Sequence, residues 1–338
     1  MKYSTERMLP MPCSKLMINH YKTPLLEGVY NYALKDVTCF DVPGHKMGNG
    51  LPQLQELWGE LVLKMDINSS PFVDNLSHPH TIIKEAEELL ADAYGCDNAF
   101  MLVNGSTSGI QYMVMSAINN GDKILMPRNV HKSAINALIL AGAKPVFVSS
   151  ELDDNLGIAN GITLKAIKHA LDLNQDVKAL LILHPTYFGV TSDLEEIIKF
   201  CHKLGLPVLV DQAHGAHFGF CKSTPLSATR LGADLVTTSM HKTGGALTQA
   251  SALFHNEGLI SKDKVRATIN LLQTTSASYL LMCSIDAARK QLVIEGDDRL
   301  NKLYSLAAHA RRNIDNIAGF KCIAKSEYIN KEGIFDFD

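Results

Sequence analysis

With 338 residues, the chain has room for two domains, or one large α/β domain with appendages, at roughly 150 residues per domain. Hydrophobic residues make up 46% and charged residues 20%, which excludes disordered, collagen-like and coiled-coil classes. Lysine and arginine total 32 against 35 acidic residues, a net charge of -3, so no basic footprint for a nucleic-acid backbone exists and no nucleic-acid partner is expected. No apolar stretch reaches the roughly 18 to 20 residues of a membrane span. Lys2, Glu6, Arg7, Lys15, Lys22 and Glu27 break up the start of the chain, so a cytoplasmic protein without membrane partners is expected. The seven cysteines are scattered and never spaced as CxxC, which suggests neither a disulfide framework nor a thiolate zinc site.

In chain order, residues 1 to about 70 are rich in Pro, Asn and Gly and read as an irregular arm with one helix-like patch from Leu51 to Met65. From about residue 95 a rhythm of short apolar runs and amphipathic helices begins. Ala99 to Val103, Lys123 to Met126, Pro145 to Ser149, Lys178 to Leu183, Pro207 to Asp211, Asp234 to Thr238 and Ser251 to Phe254 read as strands. Helices are predicted over Ser106 to Asn119, His131 to Leu140 and Thr163 to Leu173. The clearest places Leu194, Ile197, Ile198, Cys201 and Leu204 on one face. Residues 278 to 317 read as long helices, and the alternating segment Gly333 to Asp338 reads as a strand beginning. Alternation of these lengths predicts an α/β fold: a mainly parallel sheet covered by helices on both faces. Ligands in such sheets sit beyond the carboxyl ends of the strands, so the residues after each apolar run are the place to look for chemistry.

After Val103 comes Asn104-Gly-Ser-Thr-Ser-Gly109, a glycine turn delivering hydroxyls to a helix start. It reads either as a capped helix or as an anion cradle, since the unpaired N–H groups and the helix dipole favour a phosphate there. His131 opens the next helix, where an imidazole can stack on a flat ligand or move a proton. Asp211 closes an apolar strand, a carboxylate that needs a partner because an unpaired buried charge is costly. His214 and His217 stand three apart and allow a metal reading, but no thiolate or second carboxylate joins them, so no metal is expected. Lys242, between His241 and a diglycine at another strand end, is a surface lysine or, if desolvated, an amine able to form an imine. Together these describe the needs of pyridoxal 5′-phosphate: donors for the phosphate, a partner for the ring face, a carboxylate for the pyridine nitrogen and a lysine for the aldehyde.

These residues carry a resemblance. Asp41-Val-Pro-Gly-His-Lys-Met-Gly48, Leu102-Val-Asn-Gly-Ser-Thr107, Asp211-Gln-Ala-His214, Ser239-Met-His-Lys242 and Thr274-Thr-Ser-Ala-Ser-Tyr279 resemble the Orn/Lys/Arg decarboxylase family, pyridoxal-phosphate enzymes of the aspartate aminotransferase fold type. The resemblance implies that Lys242 binds the cofactor aldehyde and that Asp211 pairs with the pyridine nitrogen. Ala213 would pack under the ring opposite His131, with His214 also at the cofactor. Ser106, Thr107, Ser239 and His241 would hold the phosphate, and Gly105 would let the backbone approach it. His241 or Lys242 would return the proton to Cα. Thr275 and Ser276 would reach the phosphate of a neighbouring subunit, and Pro43-Gly-His-Lys46 would lie near that boundary. A homodimer or higher homo-oligomer with sites at the subunit interface is therefore expected.

The resemblance further implies an N-terminal arm and linker over 1–74, a cofactor-binding large domain over 75–290, and a connecting helix leading into an incomplete C-terminal small domain over 291–338. It implies decarboxylation of arginine, lysine or ornithine to the amine and CO2, arginine slightly favoured, in polyamine biosynthesis. The alternatives are another enzyme of the same fold, a lyase or aminotransferase, or an inactive shortened homologue that binds the cofactor and pairs with a full-length subunit. Asp66, Asp74 and Glu295 are the candidates to meet the substrate's side-chain cation.

Overall fold

A computed structural model describes residues 18–35, 37–329 and 331–338. Its strands are β1 (Asn98–Leu102), β2 (Lys123–Pro127), β3 (Lys144–Val148), β4 (Leu152–Asp153), β5 (Ile158–Ala159), β6 (Val177–Leu183), β7 (Val190–Thr191), β8 (Val208–Asp211), β9 (Leu235–Thr238), β10 (Ser251–His255) and β11 (Asp336–Phe337). The α-helices are α1 (Pro24–Ala33), α2 (Pro52–Trp58), α3 (Glu60–Met65), α4 (Ile82–Tyr94), α5 (Gly105–Ala117), α6 (Lys132–Ala141), α7 (Leu164–Leu173), α8 (Leu194–Lys203), α9 (Met240–Thr243), α10 (Lys262–Leu272), α11 (Tyr279–Asp315) and α12 (Lys325–Tyr328).

The seven-stranded central sheet has the order β1-β10-β9-β8-β6-β2-β3. From β9 to β3 every pairing is parallel, whereas β10 runs antiparallel to both neighbours. The apolar runs are continuous because both faces are covered, and the strand period of two divides each run between two cores. Leu180, Ile182, Val208, Val210, Val236 and Phe254 face one core with helices α1, α4, α8 and α11. Ala179, Leu181, Leu209, Leu235 and Leu253 face the other, with α5, α6 and α10.

Helix α8 shows the local logic. Asp193 Oδ1 accepts the Glu196 N–H at 3.2 Å to cap its first turn, and Leu194, Ile197, Ile198 and Cys201 are its buried stripe. Helix α5 lies close against the sheet because position 109 is glycine: a Cβ there would stand 2.0 Å from Thr237 Oγ1. That approach fixes where the start of α5 sits relative to β9.

The structure differs from the sequence reading at both flanks. The stretch read as irregular contains α1, whose Leu25, Val29 and Ala33 enter the principal core. Pro24 at its first position and the small, evenly spaced apolar set give a weak signal that the Pro-rich context masks. Residues 278 to 317, read as more than one helix, form the single helix α11, about 55 Å long at 1.5 Å per residue. Its buried residues run from Tyr279 to Leu300, and beyond Leu300 it is solvated. The final segment forms β11, which pairs antiparallel with β7 over Ile334, Tyr328 and Val190. No helix among the described residues is long and apolar enough to cross a membrane.

Candidate active site

At the carboxyl edge of the sheet lies a cavity of about 660 Å³, within the range of small-molecule sites. Asn104 to Thr107 reach it from the end of β1, Asn129 and His131 from β2, Leu183, Pro185 and Tyr187 from β6, Asp211, Ala213 and His214 from β8, and Ser239, His241 and Lys242 from β9. Thr248 and Gln249 also line it. They precede β10, and because β10 is antiparallel its starting end lies at this same edge.

The floor is acidic and dry. Asp211 is 6% exposed, and its Oδ1 accepts the Ala213 N–H at 3.1 Å. Burial pushes its carboxyl above the usual carboxylate range, opposed by the Ala213 N–H and by the charges of Lys242 and His131. A cationic ring nitrogen placed there would give that carboxylate the partner its burial demands.

One wall is built of hydroxyls at the start of α5. Ser106 Oγ and Ser239 Oγ stand 2.7 Å apart, joining the β1 and β9 loops. Gly105 takes a left-handed φ of +68°, and its N–H donates to the Gln249 carbonyl at 2.9 Å, tying the third loop to the same point. Two hydroxyls with no other side-chain partner at a helix N-terminus form a ready oxyanion cradle.

Lys242 Nζ lies 3.1 Å from His214 Nε2. Burial, then the charges of Lys242 and His131, push His214 below the ordinary imidazole range, so at neutral pH it is uncharged and accepts from the lysine. His241 Nδ1 lies 3.0 Å from the Ala250 carbonyl, which assigns the ring proton to Nδ1. His131 caps α6: its Nδ1 accepts the Ser133 N–H at 3.2 Å, and the residue lines the cavity.

Gly105, Ser106, Thr107, His131, Asp211, Ala213, His214, Ser239, His241 and Lys242 are thus gathered into one cavity. Thr275 and Ser276 are not: they are exposed between α10 and α11, outside it. The three carboxylates considered for the substrate cation are also elsewhere. Asp74 accepts the backbone N–H groups of Asn75, His80, Thr81 and Ile83 at the start of α4, Asp66 pairs with His45, and Glu295 with Arg299. Asn129, Thr248 and Gln249 escaped the sequence reading. Asn129 is a strand-end residue the same rule could have found, whereas the Thr248-Gln249 pair needed the direction of β10. Among the described residues, no group of His, Cys, Asp and Glu could hold a metal ion.

A flat ring bearing a phosphate at one end, a basic nitrogen at the other and an aldehyde beside Lys242 matches this donor set. The model of the family described as Orn/Lys/Arg decarboxylase, major domain, matches residues 23–338. An arginine decarboxylase of Halalkalibacterium halodurans is 45% identical over 323 residues, covering 95% of this chain and 66% of that protein. The chain therefore spans about two thirds of that relative's length. The constitutive lysine decarboxylase of E. coli superposes with a TM-score of 0.78 at 22% identity, over 94% of this chain and 51% of that one. An alanine–glyoxylate aminotransferase of Nostoc sp. shares the fold more distantly, with a TM-score of 0.59 at 16% identity over 72% of this chain and 68% of that one.

Proposed function

Because the chain belongs to the Orn/Lys/Arg decarboxylase family, matched over the major domain, we propose that it holds pyridoxal 5′-phosphate on Lys242 and removes the α-carboxylate of a basic amino acid, arginine by preference. The observation that carries this is the placement of a buried carboxylate, a lysine and a hydroxyl-lined helix start around one cavity. The cofactor supplies an electron sink for the pair left behind when CO2 departs.

The chain's own residues do the rest. Asp211 holds a proton on the ring nitrogen, and its dry site strengthens that charge pair. Ser106, Thr107, Ser239 and His241 bind the phosphate. Ala213 and His131, which both line the cavity, would bracket the cofactor ring and orient it. Lys242 or, when its Nε2 carries a second ring proton, His241 would return a proton to Cα.

Arginine is supported by the name of the 45%-identical relative. Among the described residues, Asp211 is the one carboxylate lining the cavity, so the cationic end of the substrate finds its counter-charge elsewhere. This supports a complete site built from two chains, with Thr275 and Ser276 facing a neighbour's phosphate. Purified protein supplied with cofactor and, separately, arginine, lysine and ornithine tests the reading. CO2 release from one of them, absent in Lys242→Ala, is expected. Cofactor attachment without release from any of the three supports instead the cofactor-binding partner of a longer subunit.

A further inference from the structure

The family motif accounts for Lys242 and Asp211 but leaves His214 without a specific task. We propose that His214 is a positioning residue for Lys242, its Nε2 fixing the ε-amino group at the cavity mouth by accepting one N–H. The inference rests on the functional reading above.

Lys242 needs such a partner. It stands on the short helix α9, is exposed, and carries four freely rotating bonds that scatter its nitrogen when nothing holds it. Among the hydrogen bonds of the described residues, the 3.1 Å contact with His214 Nε2 is the one that engages Nζ. The histidine is itself fixed from two directions. The edge of the Tyr187 ring meets it at 5.5 Å between centroids, and Thr243 Oγ1, next to the lysine, donates to the His214 carbonyl at 3.4 Å while accepting the Ala216 N–H at 3.1 Å. The loop after β6, the turn after β8 and helix α9 are thus joined at the amine. The neutral state of His214 agrees with this, since a protonated ring could only repel the ammonium.

After the ammonium has given one proton to solvent water, attachment to the aldehyde forms one C=N double bond, and the two remaining amine protons leave with the aldehyde oxygen as water. The nitrogen must present its lone pair to the aldehyde carbon at close range, and a nitrogen held in one place does so more often than a mobile one.

The test uses the whole chain stripped of cofactor and mixed with pyridoxal 5′-phosphate, without substrate. The rate of attachment is followed by visible absorbance, and the adduct is trapped with borohydride and mapped by peptide analysis. In His214→Leu the rate is expected to fall about tenfold or more, and labelling to spread from Lys242 to other surface lysines. His214→Gln, whose amide oxygen can still accept, should recover most of the rate. Tyr187→Leu, which frees the ring but keeps the acceptor, should fall between and guards against a fold defect in His214→Leu. An unchanged rate with labelling still confined to Lys242 in His214→Leu, or a His214→Gln as slow as His214→Leu, overturns the proposal. A native chain that never attaches the cofactor at Lys242 is a different failure, which removes the functional reading and this inference with it.

Discussion

The ion pair between Asp286 and Arg289 offers a quantitative check on how the N-terminal helix is held. Both side chains are fully buried on α11, 2.7 Å apart. Asp286 Oδ2 also accepts the N–H groups of Leu25 and Leu26, at 3.0 and 3.4 Å, satisfying two of the orphan donors at the start of α1. Arg289 donates to the carbonyls of His20 and Lys22, so the two residues clamp residues 20–26 onto the core. Asp286→Ala leaves the guanidinium buried without its counter-charge, a loss of roughly 3 to 5 kcal/mol. The two stranded N–H groups belong to the same network, so their cost is shared with that figure and is not an addition to it. Burial pushes the Asp286 carboxyl above its ordinary range despite Arg289, so the pair only partly offsets its own desolvation. Replacing both members, as Asp286→Leu with Arg289→Met, should therefore cost less than Asp286→Ala alone. Urea unfolding followed by circular dichroism at pH 7 measures both. A single variant losing under about 1 kcal/mol, or a double variant clearly worse than the single, refutes the account.

Lys242→Ala should lose cofactor attachment at position 242, seen as loss of the borohydride-trapped adduct on that peptide, and show no CO2 release. Asp211→Asn should still take up cofactor but lose on the order of 10²-fold or more in turnover, because a neutral amide cannot hold the ring proton; near-native turnover would remove that role. Ser106→Ala and Ser239→Ala should each weaken cofactor binding about tenfold in equilibrium titration, the worth of one hydrogen bond to a charged phosphate. Finally, burial lowers His184 from 6.5 to about 4, opposed by its bond to the Leu226 carbonyl and by Asp336. The unfolded chain takes this proton first, so the stability His184 contributes is complete above pH 6.5 and drains away as pH falls to about 4, roughly 3 kcal/mol in all. His184→Leu should flatten that part of the stability profile in urea unfolding at pH 7 and pH 4.5, and an unchanged slope would exclude His184 as its source.

Much of this molecule was legible in the amino-acid order because its signals are local. Continuous apolar runs such as Val208 to Val210 can be stable only with both faces covered, which dictates helices on both sides of a parallel sheet, and the residue ending each run then marks the ligand edge. Asp211 stood out because a carboxylate ending a buried strand is costly without a partner, and Lys242 because it sits between His241 and a diglycine at a strand end. Other features depend on distance in space and left no local trace. Helix α1 is amphipathic only toward a core that α4 and α11 supply, so its composition read as an irregular arm. Thr248 and Gln249 reach the cavity because β10 runs backwards between β1 and β9, a pairing choice that strand propensity does not encode. By sequence Asp74 was a candidate for the substrate's side-chain cation; in three dimensions it accepts backbone N–H groups, because the start of α4 and its preceding turn fold around it. His214 was one of two histidines in a turn until the packing of three loops set it against Lys242. Sequence alone determined the layers and the edge where chemistry belongs, since burial and period act within each segment. Only the tertiary structure decided which polar groups share that edge, because contacts between remote segments follow from how the layers close on one another.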